Sequence, residues 1–141
     1  MLYSDPVLLR GLSGRDYKYL PLELASANWF PIAANYAFAR RPGTLLSAAG
    51  WIILYLGEAE DMKERMARHE RLSEAIGLGA TYVLSHTNPL GVDARRAEES
   101  DLIGRHNPAL NVKHRTNAFA GGGIGLFTGF GSLAPGLDSK R

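Results

Sequence analysis

The run Gly50-Trp-Ile-Ile-Leu-Tyr-Leu56 is apolar throughout, and just beyond it the chain enters the heavily charged stretch Glu58 to Arg71. An apolar run rich in β-branched and aromatic residues suits a strand covered on both faces, placed centrally in a sheet. Even the wider window Ala48 to Leu56 is too short to span a bilayer. Glu58 to Arg71 reads as a helix. Glu58, Glu60 and Asp61 crowd its first turn, where the helix dipole is positive. Ala59, Met62 and Met66 recur at helical spacing. A buried strand that passes through one glycine, Gly57, into an amphipathic helix makes this an α/β (α+β) chain.

The remaining elements follow from punctuation. Residues 1–16 read as a loop or short helix ending at Gly11-Leu-Ser-Gly14. Asp16 to Leu24 alternates around Pro21, which predicts an edge strand or hairpin arm. Asn28-Trp-Phe-Pro31 is a turn. Ile32 to Ala39 is a strand closed by Arg40-Arg-Pro-Gly43, and it is expected to pair antiparallel with 50–56. Ser73 is placed to cap a short helix that Gly77-Leu-Gly79 ends. Ala80 to His86 gives a third strand, and Asp93 to His106 a long helix ended by Asn107-Pro108. On that helix Leu102 and Ile103 mark the inner side, shared by Glu99 and His106. Glu98 points about 100° away and is expected in solvent.

A chain of 141 residues, 45% hydrophobic and 21% charged, fits one globular domain. With no cysteine, a disulfide framework, a thiolate zinc site and a cysteine nucleophile are excluded. The same absence fits a cytoplasmic location. The N-terminus lacks the basic and apolar segments of a signal peptide. Residues 1–111 hold 12 Lys/Arg against 13 Asp/Glu, whereas residues 112–141 hold 4 against Asp138 alone. The body therefore lacks the charge footprint of a non-specific nucleic-acid binder, and any such partner must be argued from a site. Gly121, Gly122, Gly123, Gly125 and Gly129 predict a flexible tail over 113–141, following a domain over 1–112. Phenylalanines in that tail offer a contact for a protein partner.

Asp61, Arg65 and His69 follow at i, i+4 and i+8 on the first helix. A guanidinium and an imidazole beside a strand that ends Tyr55-Leu-Gly57 form an anion-binding corner. Singly, each residue has a plainer reading: a tyrosine that packs, an arginine in a structural ion pair, a surface histidine.

The order of the residues adds to this. Asn35-Tyr36 lies on one strand and Tyr55-Leu-Gly57 ends the next. Arg65 and His69 follow, and Glu99-x-x-Leu102-Ile103 with Pro108-x-x-Asn111 closes the set. This ordered set, spanning about residues 33–111, resembles the GIY-YIG nuclease family, including the nuclease domain of the bacterial excision-repair incision subunit. The resemblance implies a three-stranded antiparallel sheet flanked by helices, here with an added N-terminal arm. It also implies a metal-dependent endonuclease that hydrolyses DNA phosphodiester bonds with Mg²⁺ or Mn²⁺. Carried over by position, Glu99 is the metal ligand. Tyr36 and Tyr55 hold the attacking water and the phosphate, with Tyr55 favoured as general base. Arg65 stabilises transition-state charge, His69 contacts phosphate or transfers a proton, and Gly57 and Asn111 support the site.

The family triplet is Ala34-Asn35-Tyr36 here, and an extended loop is expected over 40–50. Glu58 stands where many members carry a lysine that lowers a tyrosine pKa. A glutamate acts in the opposite sense. The alternative is therefore a weak or inactive nucleic-acid-binding module of the same fold, working in a repair or mobile-element complex.

Overall fold

The computed structural model describes residues 5–41 and 50–111. The chain divides into two units, Met1–Pro108 and Ala109–Arg141; of the second, the short turn Ala109–Asn111 is described. The expected loop over 40–50 falls mostly outside the described residues, and the expected tail and its boundary at 112/113 lie wholly outside them. No helix among the described residues is long and apolar enough to cross a membrane.

The first unit holds five strands and three helices: β1 Val7–Arg10, β2 Asp16–Glu23, β3 Ala34–Arg40, β4 Ile52–Ala59, α1 Met62–Ala67, α2 Leu72–Gly77, β5 Tyr82–Thr87 and α3 Val92–His106. The class is α+β, as expected, but the sheet has five strands in the order β1-β2-β5-β3-β4, all antiparallel, rather than three. The N-terminal arm supplies the two extra strands. Val7 to Arg10 alternates like a half-buried strand, with Leu9 4% and Leu8 62% exposed.

Strand β2 is flanked on both sides instead of forming an edge. Its first half pairs with β1 (Asp16 to Tyr19) and its second half with β5 (Leu20 to Glu23). Pro21 is tolerated because it sits in the half that β1 does not reach, so its missing N–H breaks no ladder there.

The central strand is β3, not the apolar run that became β4. Strand β4 lies at the sheet end, and its apolar character comes from α3 packing on it. Leu56 of β4, Ala37 and Ala39 of β3, Leu84 of β5, Tyr19 and Leu9 close around Leu102 of α3 as the core of this face.

The predicted helix over 58–71 is shorter and broken. Strand β4 runs on to Ala59, with Glu58 paired to Asn35 in the ladder. Asp61 caps α1, its carboxylate accepting the Glu64 amide at 3.1 Å. After Ala67 the helix stops, because His69 Nδ1 accepts the Arg71 N–H at 3.0 Å. That amide would otherwise bond the carbonyl four residues back, so a side chain competes with the helix ladder. Ser73 lies inside α2, whose N-cap is Arg71 without a side-chain bond, and not at its cap. Helix α3 ends at Asn107, in the left-handed region at φ 50°, followed by Pro108.

The inner side of α3 also differs from expectation. Arg95, Glu98 and Leu102 are its buried residues, spaced i, i+3, i+7. Glu98 is only 5% exposed, and Glu99 is the partly exposed member of the pair. His106 sits at the rim, its Nε2 2.9 Å from the Arg10 carbonyl.

Candidate active site and the buried network behind it

Strand alternation sends Tyr36 and Phe38 of β3 to the face opposite α3, and the β3–β4 register sets Tyr36 across from Gly57 and Phe38 across from Tyr55. The two phenol rings lie 6.2 Å apart, and Phe38 stacks on Tyr55 at 5.7 Å. Glycine at 57 is a steric requirement. A Cβ there would stand 2.6 Å from both Cζ and Oη of Tyr36 and 3.0 Å from Tyr55 Cε2.

Into this aromatic floor the break between α1 and α2 drops His69, 8% exposed. Its ring stands edge-on to Tyr36, Phe38 and Tyr55, at 5.5, 4.8 and 5.1 Å. Nε2 lies 2.6 Å from the Tyr36 oxygen. Burial, then the Arg65 and Arg71 cations, lower the His69 pKa to about 4, so the ring is neutral at pH 7. Since Nδ1 accepts from Arg71, the single ring hydrogen is on Nε2. His69 is thus a donor to Tyr36, and the phenol hydrogen of Tyr36 is left to point elsewhere.

Arg65, on the last turn of α1, comes within hydrogen-bonding reach of both phenols and bonds Glu70 at 3.0 Å. Burial works against its charge, but Glu70 and the two phenols outweigh it and hold the guanidinium above its ordinary range. Arg65 in turn lowers the Glu70 carboxyl. Burial raises the pKa of Tyr36 well above the usual phenol range, with Tyr55 adding to it and Arg65 opposing. Tyr55 is raised by burial, lowered in part by Arg65, and raised again by the negative charge of Glu99. Glu99 acts on Tyr36 in the same sense. In this state both phenols keep their hydrogens.

Four of the expected residues (Tyr36, Tyr55, Arg65, His69) therefore form one cluster, over Gly57, with the Glu99 charge felt by both tyrosines. Asn111 falls in the second unit. Phe38 and Glu70 were not anticipated. The signal for Phe38 was its place two residues after Tyr36 on the same face. Glu70 meets Arg65 only because the helix breaks.

Glu58 is not part of the cluster. It lies on the α3 face, where Arg95 Nε meets it at 2.9 Å. Arg95, 4% exposed, also donates to the Asn88 carbonyl at 3.2 Å. Asn35 donates to the Arg95 carbonyl and accepts from Asn88. Asn88 further donates to Glu98, which accepts as well from Tyr19 at 2.6 Å and meets His86 Nδ1 at 2.8 Å. This buried network pins α3 to β2, β3, β4 and β5.

Among the described residues no group of three or more His, Asp or Glu side chains could enclose a metal ion. A single-carboxylate site of the Mg²⁺ kind, completed by water, needs no such group, and Glu99 is a carboxylate whose charge reaches both phenols. No family model matches the chain, no relative is found among curated proteins, and no solved structure matches it.

Proposed function

We propose that the protein is a metal-dependent endonuclease of GIY-YIG type that hydrolyses DNA phosphodiester bonds. The single observation that supports this reading is the convergence of Tyr36, Tyr55, Arg65 and His69 from three separated segments, with the Glu99 charge acting on both phenols. Phosphoryl transfer asks for positioning and charge stabilisation more than for covalent chemistry.

On this reading the residues take the following roles. Arg65, within hydrogen-bonding reach of both phenols, would supply a fixed cation to a transferring phosphate. His69 holds the Tyr36 oxygen by donation, which leaves the Tyr36 hydroxyl hydrogen for another acceptor. Tyr55, less buried and also next to Arg65, is the better placed of the two to give up its proton. Glu99 would hold the divalent ion, which when bound would supply positive charge to the phosphate and to the neighbouring phenols. Glu58, held by Arg95 on the other face, does not oppose that effect at Tyr55.

Incubation with Mn²⁺ or Mg²⁺ and a panel of single-stranded, duplex and branched DNAs tests the reading. Cleavage is expected, with loss of about 10²–10³-fold in Glu99→Ala and in Arg65→Ala. Cleavage that both variants retain would overturn the assignment. Salt-dependent binding without cleavage under any metal would leave the fold as a binding module.

A further inference from the structure

The link between α1 and α2 sends two neighbours in different directions. His69 goes inward to the phenols. Glu70, its side chain 69% exposed, stays at the surface and meets Arg65 Nη1 at 3.0 Å. The spacing of that pair is not helical. Arg68–Glu64 is an i, i+4 pair and Arg71–Glu74 an i, i+3 pair, spacings that a helical turn brings together. Positions five apart stand about 140° apart on an unbroken helix. Arg65 and Glu70 meet because the helix stops after Ala67.

Arg65 also differs from Arg68 and Arg71 in what else it reaches. Its side chain is 30% exposed and lies within hydrogen-bonding reach of the Tyr36 and Tyr55 hydroxyls. One guanidinium is thus shared between two phenols and one carboxylate. A guanidinium accepts a carboxylate or a phosphate through the same fork of N–H donors, so the two compete for it. Glu70 makes a weak, exposed pair, and an anion with a better fit displaces it. The Glu70 charge also adds to the rise of the Tyr55 pKa. While Glu70 sits on Arg65, the cation is partly neutralised and the phenol keeps its hydrogen.

We propose that Glu70 is a built-in competitor for the phosphate of the proposed reaction: its carboxylate holds Arg65 in the free protein and yields that place to a phosphate of the nucleic-acid strand. The inference rests on the nuclease reading above and adds a control on the affinity of the same site.

The test is binding of a short single-stranded oligonucleotide in EDTA, where nothing is cut, by wild type, Glu70→Gln, Glu74→Gln and Arg65→Ala. Glu74→Gln removes the same charge from the neighbouring exposed pair and serves as the control. Glu70→Gln is expected to tighten binding about 3–10-fold. Glu74→Gln is expected to change it by less than about 2-fold, through screened charge alone, and Arg65→Ala to weaken it. With Arg65→Ala already in place, adding Glu70→Gln should do no more than adding Glu74→Gln. In wild type the ¹³C resonance of the Glu70 carboxylate should move on saturation while that of Glu74 stays. Equal effects of Glu70→Gln and Glu74→Gln, with affinity still lost in Arg65→Ala, overturn the competitor and leave the nuclease reading standing. Arg65→Ala that binds like wild type overturns the competitor, whatever the cleavage assay returns. Binding by Glu70→Gln alone, with none by wild type, supports the competitor. No binding by either overturns the competitor and the nucleic-acid reading together.

Discussion

On the aromatic face of the sheet, His69 receives a backbone N–H at Nδ1 and gives its Nε2 hydrogen to Tyr36. On the α3 face, His86 Nδ1 meets the Glu98 carboxylate at 2.8 Å, and a carboxylate oxygen takes a hydrogen from the ring nitrogen that faces it. The two rings thus carry their obligatory hydrogens on opposite nitrogens. The neighbouring carboxylates on α3 divide in the same way. Glu98 is saturated by Tyr19, His86 and Asn88, while Glu99 lends its charge to two phenols. One region is a closed network whose members satisfy one another. The other gathers two tyrosines, a histidine and an arginine around an aromatic floor in which Tyr36 and Phe38 are fully buried. On the function proposed above, the network contributes mainly to stability and the cluster mainly to activity.

The largest test of that division removes Glu98. Glu98→Ala strands the Tyr19 hydroxyl, the Asn88 amide and the His86 N–H in the interior, and is expected to cost about 3–5 kcal/mol in urea unfolding. Glu99→Ala, one residue on, is expected to change stability by no more than about 1 kcal/mol and, on the proposed function, to lower cleavage about 10²–10³-fold. Similar losses for the two would erase the distinction.

The next effect is pH. The His69 pKa lies near 4 in the folded protein against 6.5 for the free group. A depressed imidazole means the unfolded chain binds its proton first. The stability from this group is present above about pH 6.5 and lost as pH falls toward 4, up to about 3 kcal/mol. Urea midpoints from pH 7 to 4 for wild type and His69→Asn should converge across that window, and an imidazole titration by NMR should place His69 near 4.

Smaller still is Gly57→Ala. Its Cβ would displace the Tyr36 ring, with an expected cost of about 1–3 kcal/mol and a loosened Tyr36–His69 contact. Loss of the short hydrogen bond in the His69 spectrum, with the fold intact, would show that the glycine serves the cluster. The smallest effect belongs to Arg68→Ala. It breaks an exposed i, i+4 pair with Glu64 and should cost about 0.5 kcal/mol or less.

Much of this was legible in the sequence. Strands β3, β4 and β5 and helix α3 were placed within about two residues at most ends, because alternation and the Asn107-Pro108 stop are local signals. The meeting of Arg65 and His69 beside Tyr55 was anticipated from their spacing, and that of Tyr36 with them from the resemblance. What stayed hidden depends on partners distant in the chain. Val7 to Arg10 is too short to announce a strand without Asp16 to Tyr19 beside it. The apolar content of β4 reported a packed face and was read as a central position. The break after Ala67 comes from an imidazole that captures an amide, which helical periodicity cannot show. The inner side of α3 was misassigned because Arg95 and Glu98 are polar, and a hydrophobic wheel does not register a buried residue whose partners lie on four other strands.

Helix α3 reaches a different neighbour at each buried step: Arg95 to Glu58, Glu98 to Tyr19 and His86, Leu102 into the core. Each added residue would rotate everything after it by about 100°. Between positions 95 and 102 the chain can therefore tolerate substitutions on its wet side, at Arg96 and Ala97, but not a change in length. Insertion scanning of this stretch should find silence where Arg96 or Ala97 is substituted and collapse where one residue is gained or lost.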